Sequence, residues 1–169
     1  MRISPHLYWI DGSWPGRLAI SARPRGGDWL EDEIQGWREA GIDVVASLLT
    51  ADETEELSLA HEPALSAAHG IAFVSFPVPD RDIPGSDLAA AEVTARLSAE
   101  LERGRGVLVH CRQGVGRSGM IAAALLIAAG LLPEEAMRRV SEARGLPVPE
   151  TEAQAAWLSR MVARLAPAH

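Results

Sequence analysis

Apolar residues fall along this chain in short unbroken runs, and between the runs they recur at the spacing of a helix. Ile42–Leu49 (IDVVASLL), Ile71–Phe76 (IAFVSF) and Val107–His110 (VLVH) read as buried strands of a sheet covered on both faces. Leu7–Ile10 and Leu18–Ala22, separated by the turn-rich DGSWPG, read as an opening pair of strands. Leu30, Ile34 and Trp37 share one helix face, with Asp28 as the expected cap, Glu31 three residues on, and Gly41 as the stop. DETEE and the Pro-initiated EPALSAAHG supply helical segments between the first two of these buried strands. Ser86 is placed to cap a helix carrying Val93, Leu97 and Leu101 as far as Gly104. Met120–Ala129, Pro133–Arg144 and Thr151–Leu165 then predict a core helix and two amphipathic ones. Alternating strands and helices followed by a helical final third predict an α/β fold, a central mostly parallel sheet of about four to five strands flanked by helices.

One segment belongs to neither pattern. PVPDRDIPGSD packs three Pro and three Asp into eleven residues, so neither a helix nor a central strand can absorb it. It must be an exposed loop of the kind that often carries function.

Composition narrows the field. A length of 169 residues suits one domain, 1–169, and 47% hydrophobic with 23% charged residues is ordinary globular usage. The net charge of -7 argues against nucleic acid or an anionic membrane as partner, since both are held by an excess of positive charge. All 16 basic residues are Arg, which excludes lysine Schiff-base chemistry and reads as the mark of a GC-rich genome. A single Cys cannot form an internal disulfide, so a reducing compartment, the cytoplasm, is expected. The opening MRISPHLYWI has no signal-peptide pattern, and the longest apolar run, Met120–Leu132, is thirteen residues, too short for a membrane span. The histidines His6, His61, His69 and His169 show no paired ligand spacing, so no metal and no cofactor are expected.

The chemistry concentrates where the strand VLVH meets the helix SGMIAAALLIA. Between them stand Cys111, Arg112, Gln113, Gly114, Val115 and Gly116, then Arg117 and Ser118, with five residues between Cys and Arg. A tight loop with two glycines can turn its backbone N–H groups inward, and the helix start adds its positive end, which makes a phosphate-sized cradle. Arg117 can offer two parallel charge-assisted bonds to phosphate oxygens. The same field favours the thiolate of Cys111, which would attack phosphorus in line and leave a phosphocysteine for water to hydrolyse. His110 is expected to orient the loop through a hydrogen bond, and Ser118 to donate its hydroxyl to the departing sulfur.

HCRQGVGRSG resembles the active-site signature of protein tyrosine phosphatases, His-Cys, five residues, Arg, Ser/Thr, and most closely that of small dual-specificity phosphatases. In that family an acid about thirty residues upstream protonates the leaving oxygen and then activates water. The resemblance assigns this role to Asp80, thirty-one residues before Cys111 in FPVPDRDIPGS, over Asp82. PVPETEAQAAW is similar to the family segment that carries a water-orienting Gln, which points to Gln154. The likeness runs from about Gly41 to Leu165 and more loosely over the first strands. It implies a metal-free phosphatase with a shallow pocket, because the extra loop that deepens the pocket of the larger tyrosine phosphatases is missing. The implied substrate is a phosphorylated protein or peptide, through phosphotyrosine and in addition phosphoserine or phosphothreonine.

Other readings stay open at this point. Phosphoinositide or inositol phosphate hydrolysis is kept alive by Arg112, although no Lys stands in the loop. Sulfur transfer of the rhodanese type uses a loop one residue shorter between Cys and Arg. A phosphate-binding module that has lost turnover is a third alternative, against which Cys111, Arg117 and a candidate acid all stand. An isolated Cys is usually just a small buried hydrophobe, and Asp beside Pro is common turn chemistry. Trp29, Trp37 and Trp157 read as helix-borne packing residues, and Arg23 and Arg25 as solvated or locally paired.

Overall fold

A computed structural model describes residues 6–166 of the 169-residue chain. The first half of the opening segment read for a leader, and His169, lie outside the described residues.

Five strands form one sheet in the order β1-β2-β5-β3-β4, with β1 Tyr8–Ile10, β2 Arg17–Ser21, β3 Ile42–Ser47, β4 Ala72–Ser75 and β5 Gly106–His110. Only β1 pairs antiparallel, with β2; the other three pairings are parallel. β5 is therefore central, and its register sets Leu108 beside Ala19 and Val45, and His110 beside Ser21 and Ser47.

The central strands are apolar because both faces are covered. Leu18, Ile20, Val44, Ala46, Val107 and Val109 join one core, and Ala19, Ile42, Val45 and Leu108 the other. α1 (Leu30–Glu39) closes the second face through Leu30, Ile34 and Trp37. Two short helices, α2 (Ala51–Glu56) and α3 (Glu62–Ala68), fill the crossover from β3 to β4. The first face is packed by α4 (Asp87–Glu102), α5 (Gly116–Ala128), α6 (Pro133–Arg144) and α7 (Glu152–Leu165). Twelve of the thirteen residues of α5 are buried, since this helix lies between the sheet and three neighbours. That explains why Met120–Ala128 shows no polar face in sequence.

Several expected boundaries move. α5 begins at Gly116, a turn before the apolar stretch, because Gly116 and Arg117 of the loop already take helical conformation. Asp28 does not cap α1: it sits in a 3-10 turn, Gly27–Trp29, and Trp29 stands at the cap position with no side-chain cap bond. Trp29 is 54% exposed and not core, its ring lying instead against the Arg25 guanidinium. On α4 the buried stripe is Ala90, Thr94, Leu97 and Leu101, with Val93 half-buried beside it. Ser86 caps α4 by accepting from the Ala89 N–H, as its position in sequence predicts.

Candidate active site

β5 runs straight into the cysteine loop. His110 is the last paired residue, and its carbonyl accepts from Leu48 N–H at 3.0 Å, so the strand is anchored up to the residue before Cys111. Beyond it the loop carbonyls are tied outward. Arg144 of α6 donates to Gly114 O at 2.8 Å and to Gln113 O at 3.3 Å, while Arg112 O accepts from Arg23 N–H at 3.2 Å. A planar trans peptide whose carbonyl faces out turns its N–H the other way, so the amides of Gln113, Gly114 and Val115 face the enclosed side. Gly114 takes φ +72, and a Cβ there would lie 2.5 Å from the backbone of Ser21 and Ala22, so only glycine fits. Val115 at the start of α5 makes no side-chain cap bond, which leaves the first helical N–H groups available to an anion. Arg144, which ties these carbonyls and is stacked on Tyr8 at 4.1 Å, is the part of the arrangement that loop spacing could not reveal.

Inside it the Cys111 thiol donates to Ser118 Oγ at 3.3 Å, and both residues are buried. Cys111, Gln113, Gly116, Arg117, Asp80, Arg81 and Glu150 line a cavity of about 140 Å³.

Arg117 is 2% exposed, and its planar fork meets a carboxylate of this chain. Nη1 and Nη2 donate to the two Glu53 oxygens at 2.7 and 2.9 Å, and Nη1 also reaches Val78 O at 2.9 Å. The two parallel bonds expected to face phosphate are thus made to Glu53, a residue read from sequence only as part of an acidic helical stretch. The Arg117 hydrogen bonds hold the Glu53 carboxyl down at about 2. Burial works against the Arg117 charge, but Glu53, with the charges at Cys111 and Asp80, outweighs it and raises the guanidinium above its usual value. Thr50 caps α2 in a reciprocal box with Glu53, so the same carboxylate that holds Arg117 also fixes the start of its own helix.

The two aspartates of the Pro-rich loop have different surroundings. Asp80 lines the cavity with its carboxylate 3.3 Å from Arg117 Nη2. Asp82 Oδ1 instead accepts from the Ile83 N–H at 2.7 Å, and its backbone carbonyl accepts from Gln154 Nε2 at 3.1 Å. Between them Arg81 takes φ 61 and pairs with Glu150 at 3.4 Å.

Gln154 is fully buried and lies beside the loop, its Oε1 3.2 Å from where a Cβ on Gly116 would stand. That oxygen accepts from the N–H groups of Glu150 and Thr151, closing a capping box at the start of α7. Its amide thus holds the backbone at both ends, through Oε1 at the start of α7 and through one Nε2 donor at Asp82.

Arg112 points its side chain toward α2, 3.4 Å from Glu56 and 3.9 Å from Glu53. The His110 ring is held from outside the loop: its Nε2 pairs with Glu62 Oε2 at 2.7 Å, and Nδ1 has no partner among the described residues. Neither Glu53 nor Glu62 could have been picked from sequence, since each is one of 23 acidic residues and lies about fifty or more positions from its partner. Arg25 pairs locally with Glu33, as read from sequence.

A cysteine loop at the carboxyl end of the central strand of a mostly parallel sheet, with its arginine on the following helix, defines the class of the cysteine phosphatase fold. The model of the family described as "Polymorphic toxin system, DSP-PTPase phosphatase" matches residues 20–131, and the chain belongs to that family. Cyclin-dependent kinase inhibitor 3 of Rattus norvegicus is 26% identical over 140 residues, covering 81% of this chain and 65% of the relative. The chain thus spans less than two-thirds of the length of the curated relatives it matches. Among solved structures, kinase associated phosphatase with its catalytic cysteine replaced by serine superposes with a TM-score of 0.87 at 22% identity, covering 98% of both chains. Tk-PTP in its active form gives 0.78 at 28% identity, covering 96% of this chain and 99% of the other.

Proposed function

We propose that this protein hydrolyses phosphate monoesters on proteins, phosphotyrosine foremost and phosphoserine or phosphothreonine in addition, through a phosphocysteine at Cys111. The observation that carries the proposal is the joint presence of Cys111, Arg117 and Asp80 around one cavity at an uncapped helix start.

In the first step the Cys111 thiolate attacks phosphorus and the ester P–O bond breaks. Asp80 gives its proton to the departing oxygen. Gln113, Gly114, Val115 and Gly116 donate backbone N–H groups to the equatorial oxygens, with the Arg112 amide at the loop entrance and the Arg117 charge beside them. Arg117 acts from a fixed position, because Glu53 holds its fork. In the second step water attacks the phosphocysteine, its proton passes to Asp80, and inorganic phosphate departs. The sulfur leaves as thiolate, stabilised by the Ser118 hydroxyl 3.3 Å away.

Two features support a protein substrate over a phosphoinositide. The arginines nearest the cavity, Arg81 and Arg112, face Glu150, Glu56 and Glu53, so their charge is already partly met before a second phosphate arrives. One solved relative is named as kinase associated. The single Cys is consistent with work in a reducing compartment, the cytoplasm.

The test is a comparison of phosphate release from phosphotyrosyl, phosphothreonyl and phosphoseryl peptides with release from vesicles carrying phosphatidylinositol monophosphate. The expected result is that kcat/KM for the phosphotyrosyl peptide leads. A lead for the vesicles would replace the substrate class, and tight peptide binding with no release would make the site a recognition module.

A further inference from the structure

Glu62 is 2% exposed, and its carboxylate bonds to the imidazole of His110, the residue before Cys111. We propose that Glu62 is a positioning residue: it fixes the His110 ring, and through it the strand end that delivers Cys111. This rests on the reading of Cys111 as the nucleophile.

The backbone of His110 is held on both sides by the ladder to β2 and β3 and by the Leu48 amide. Its ring is held far less. Trp37 lies against it at 5.9 Å between centroids, tilted by 33°, which limits the room on one side without fixing an angle. Nδ1 finds no partner among the described residues, so the 2.7 Å bond from Nε2 to Glu62 is the polar restraint on ring rotation. A buried ring nitrogen without a partner is costly, so it will take any acceptor or donor that rotation brings within reach. The cysteine loop begins at the very next residue, so rotation of the ring bears on its start. Glu62 prevents that exchange.

The bond is also specific in length. Glu62 is the first residue of α3, followed by Pro63, so its backbone is set by a helix start and a rigid neighbour. A side chain one methylene shorter would carry the same charge and fall short of Nε2. A buried carboxylate is costly unless hydrogen-bonded, which makes its placement beside the residue preceding the nucleophile informative. Ordinary core packing would be served by an apolar residue here.

Because His110 does not line the cavity, Glu62 should act on the nucleophile and not on phosphate binding. Because Cys111 is the only cysteine of the chain, its reaction with iodoacetamide reads the nucleophile directly, whether or not any substrate is turned over. Glu62→Gln, Glu62→Asp and Glu62→Met are compared with the wild type at one pH, with thermal melts as the fold control, and each is repeated in a His110→Phe background. The expected result is that alkylation and kcat fall about tenfold in Glu62→Asp and Glu62→Met, with KM within about twofold, and stay within about threefold in Glu62→Gln, which still accepts from Nε2. In the His110→Phe background the Glu62 substitutions should change nothing further. Should Glu62→Met fail to fold, Glu62→Asp carries the comparison alone. Unchanged alkylation in a folded Glu62→Asp, or an equal loss with and without His110, overturns the proposal. A wild type that is alkylated but releases no phosphate from any ester overturns the phosphatase reading, and the alkylation comparison then decides the role of Glu62 by itself.

Discussion

Glu53→Gln removes one charge from the pair that holds Arg117 and keeps the shape of the side chain. The Glu53 carboxyl is held at about 2 against an ordinary 4.5, first by the Arg117 hydrogen bonds. That difference corresponds to about 3 kcal/mol of stability at neutral pH. With the carboxylate only 10% exposed, solvent screening removes little of it. Gln keeps one neutral acceptor, worth about 1 kcal/mol, so the substitution should cost about 2 kcal/mol at pH 7. The sign with pH follows from a lowered folded-state value. The Glu53 contribution is complete above about pH 5, shrinks as pH falls below 4.5, and by about pH 3 is less than half its neutral value. Urea unfolding of both proteins at about pH 7, 5, 4 and 3 measures the gap directly. A gap that stays constant across this range, or one under about 0.5 kcal/mol at pH 7, would show that the pair does not stabilise the fold. Activity should fall too, since the Arg117 fork then has a weaker partner to hold it in place.

Three other substitutions and one oxidation probe the same geometry. Gly114→Ala forces a Cβ to within 2.5 Å of the Ser21 and Ala22 backbone at φ +72, so vanadate affinity should fall by about tenfold or more, as read by inhibition of aryl phosphate hydrolysis or by calorimetry; unaltered affinity would mean that the amides do not form the cradle. Ser118→Ala removes the donor to the departing sulfur, so stopped-flow hydrolysis should show a phosphocysteine burst followed by a turnover slowed about tenfold; a slowed burst instead would move Ser118 to the first step. Gln154→Leu frees the Asp82 carbonyl and breaks the α7 capping box, costing about 1–2 kcal/mol in denaturant unfolding, and a variant as stable as the wild type would contradict the capping role. Mild peroxide should convert Cys111 to a sulfenamide or to a mixed disulfide with added thiol, since no second Cys is present to resolve a sulfenic acid; sulfinic acid as the only product by mass spectrometry would rule out reversible oxidation.

The parts of this molecule that are legible in sequence are those fixed by near neighbours. β3 and β5 announce themselves as apolar runs because side chains pack against both faces of the sheet, whereas β4, read from sequence as equally covered, is an edge strand with only Val74 buried. The cysteine loop is legible because its strand, glycines, Cys111 and Arg117 lie within one short stretch. The apolar run of α5 begins a turn after the helix itself, because glycine and arginine carry no apolar signal although they already take helical geometry. Asp28 looks like a cap by spacing, yet the preceding 3-10 turn draws it away from the helix start. What stays hidden are long-range polar pairs: Glu53 with Arg117, Glu62 with His110, and Arg144 with the loop carbonyls. Each is a contact between elements far apart in the chain, and nothing in an acidic or basic residue's own neighbourhood says which distant group it will meet. Glu53 and Glu62 both lie on the β3 to β4 crossover, so this short helical connection buttresses the loop from behind.

Hydrolysis of a simple aryl phosphate near pH 6, with a metal chelator present, decides whether Cys111 and Asp80 carry the reaction when the wild type is set beside Cys111→Ser, Asp80→Ala and Asp82→Ala. The expected outcome is turnover that survives chelation, vanishes with Cys111→Ser, and falls about a hundredfold with Asp80→Ala but only slightly with Asp82→Ala. Turnover that persists without the Cys111 sulfur, or that depends on Asp82 and not on Asp80, would contradict the phosphocysteine mechanism and its acid.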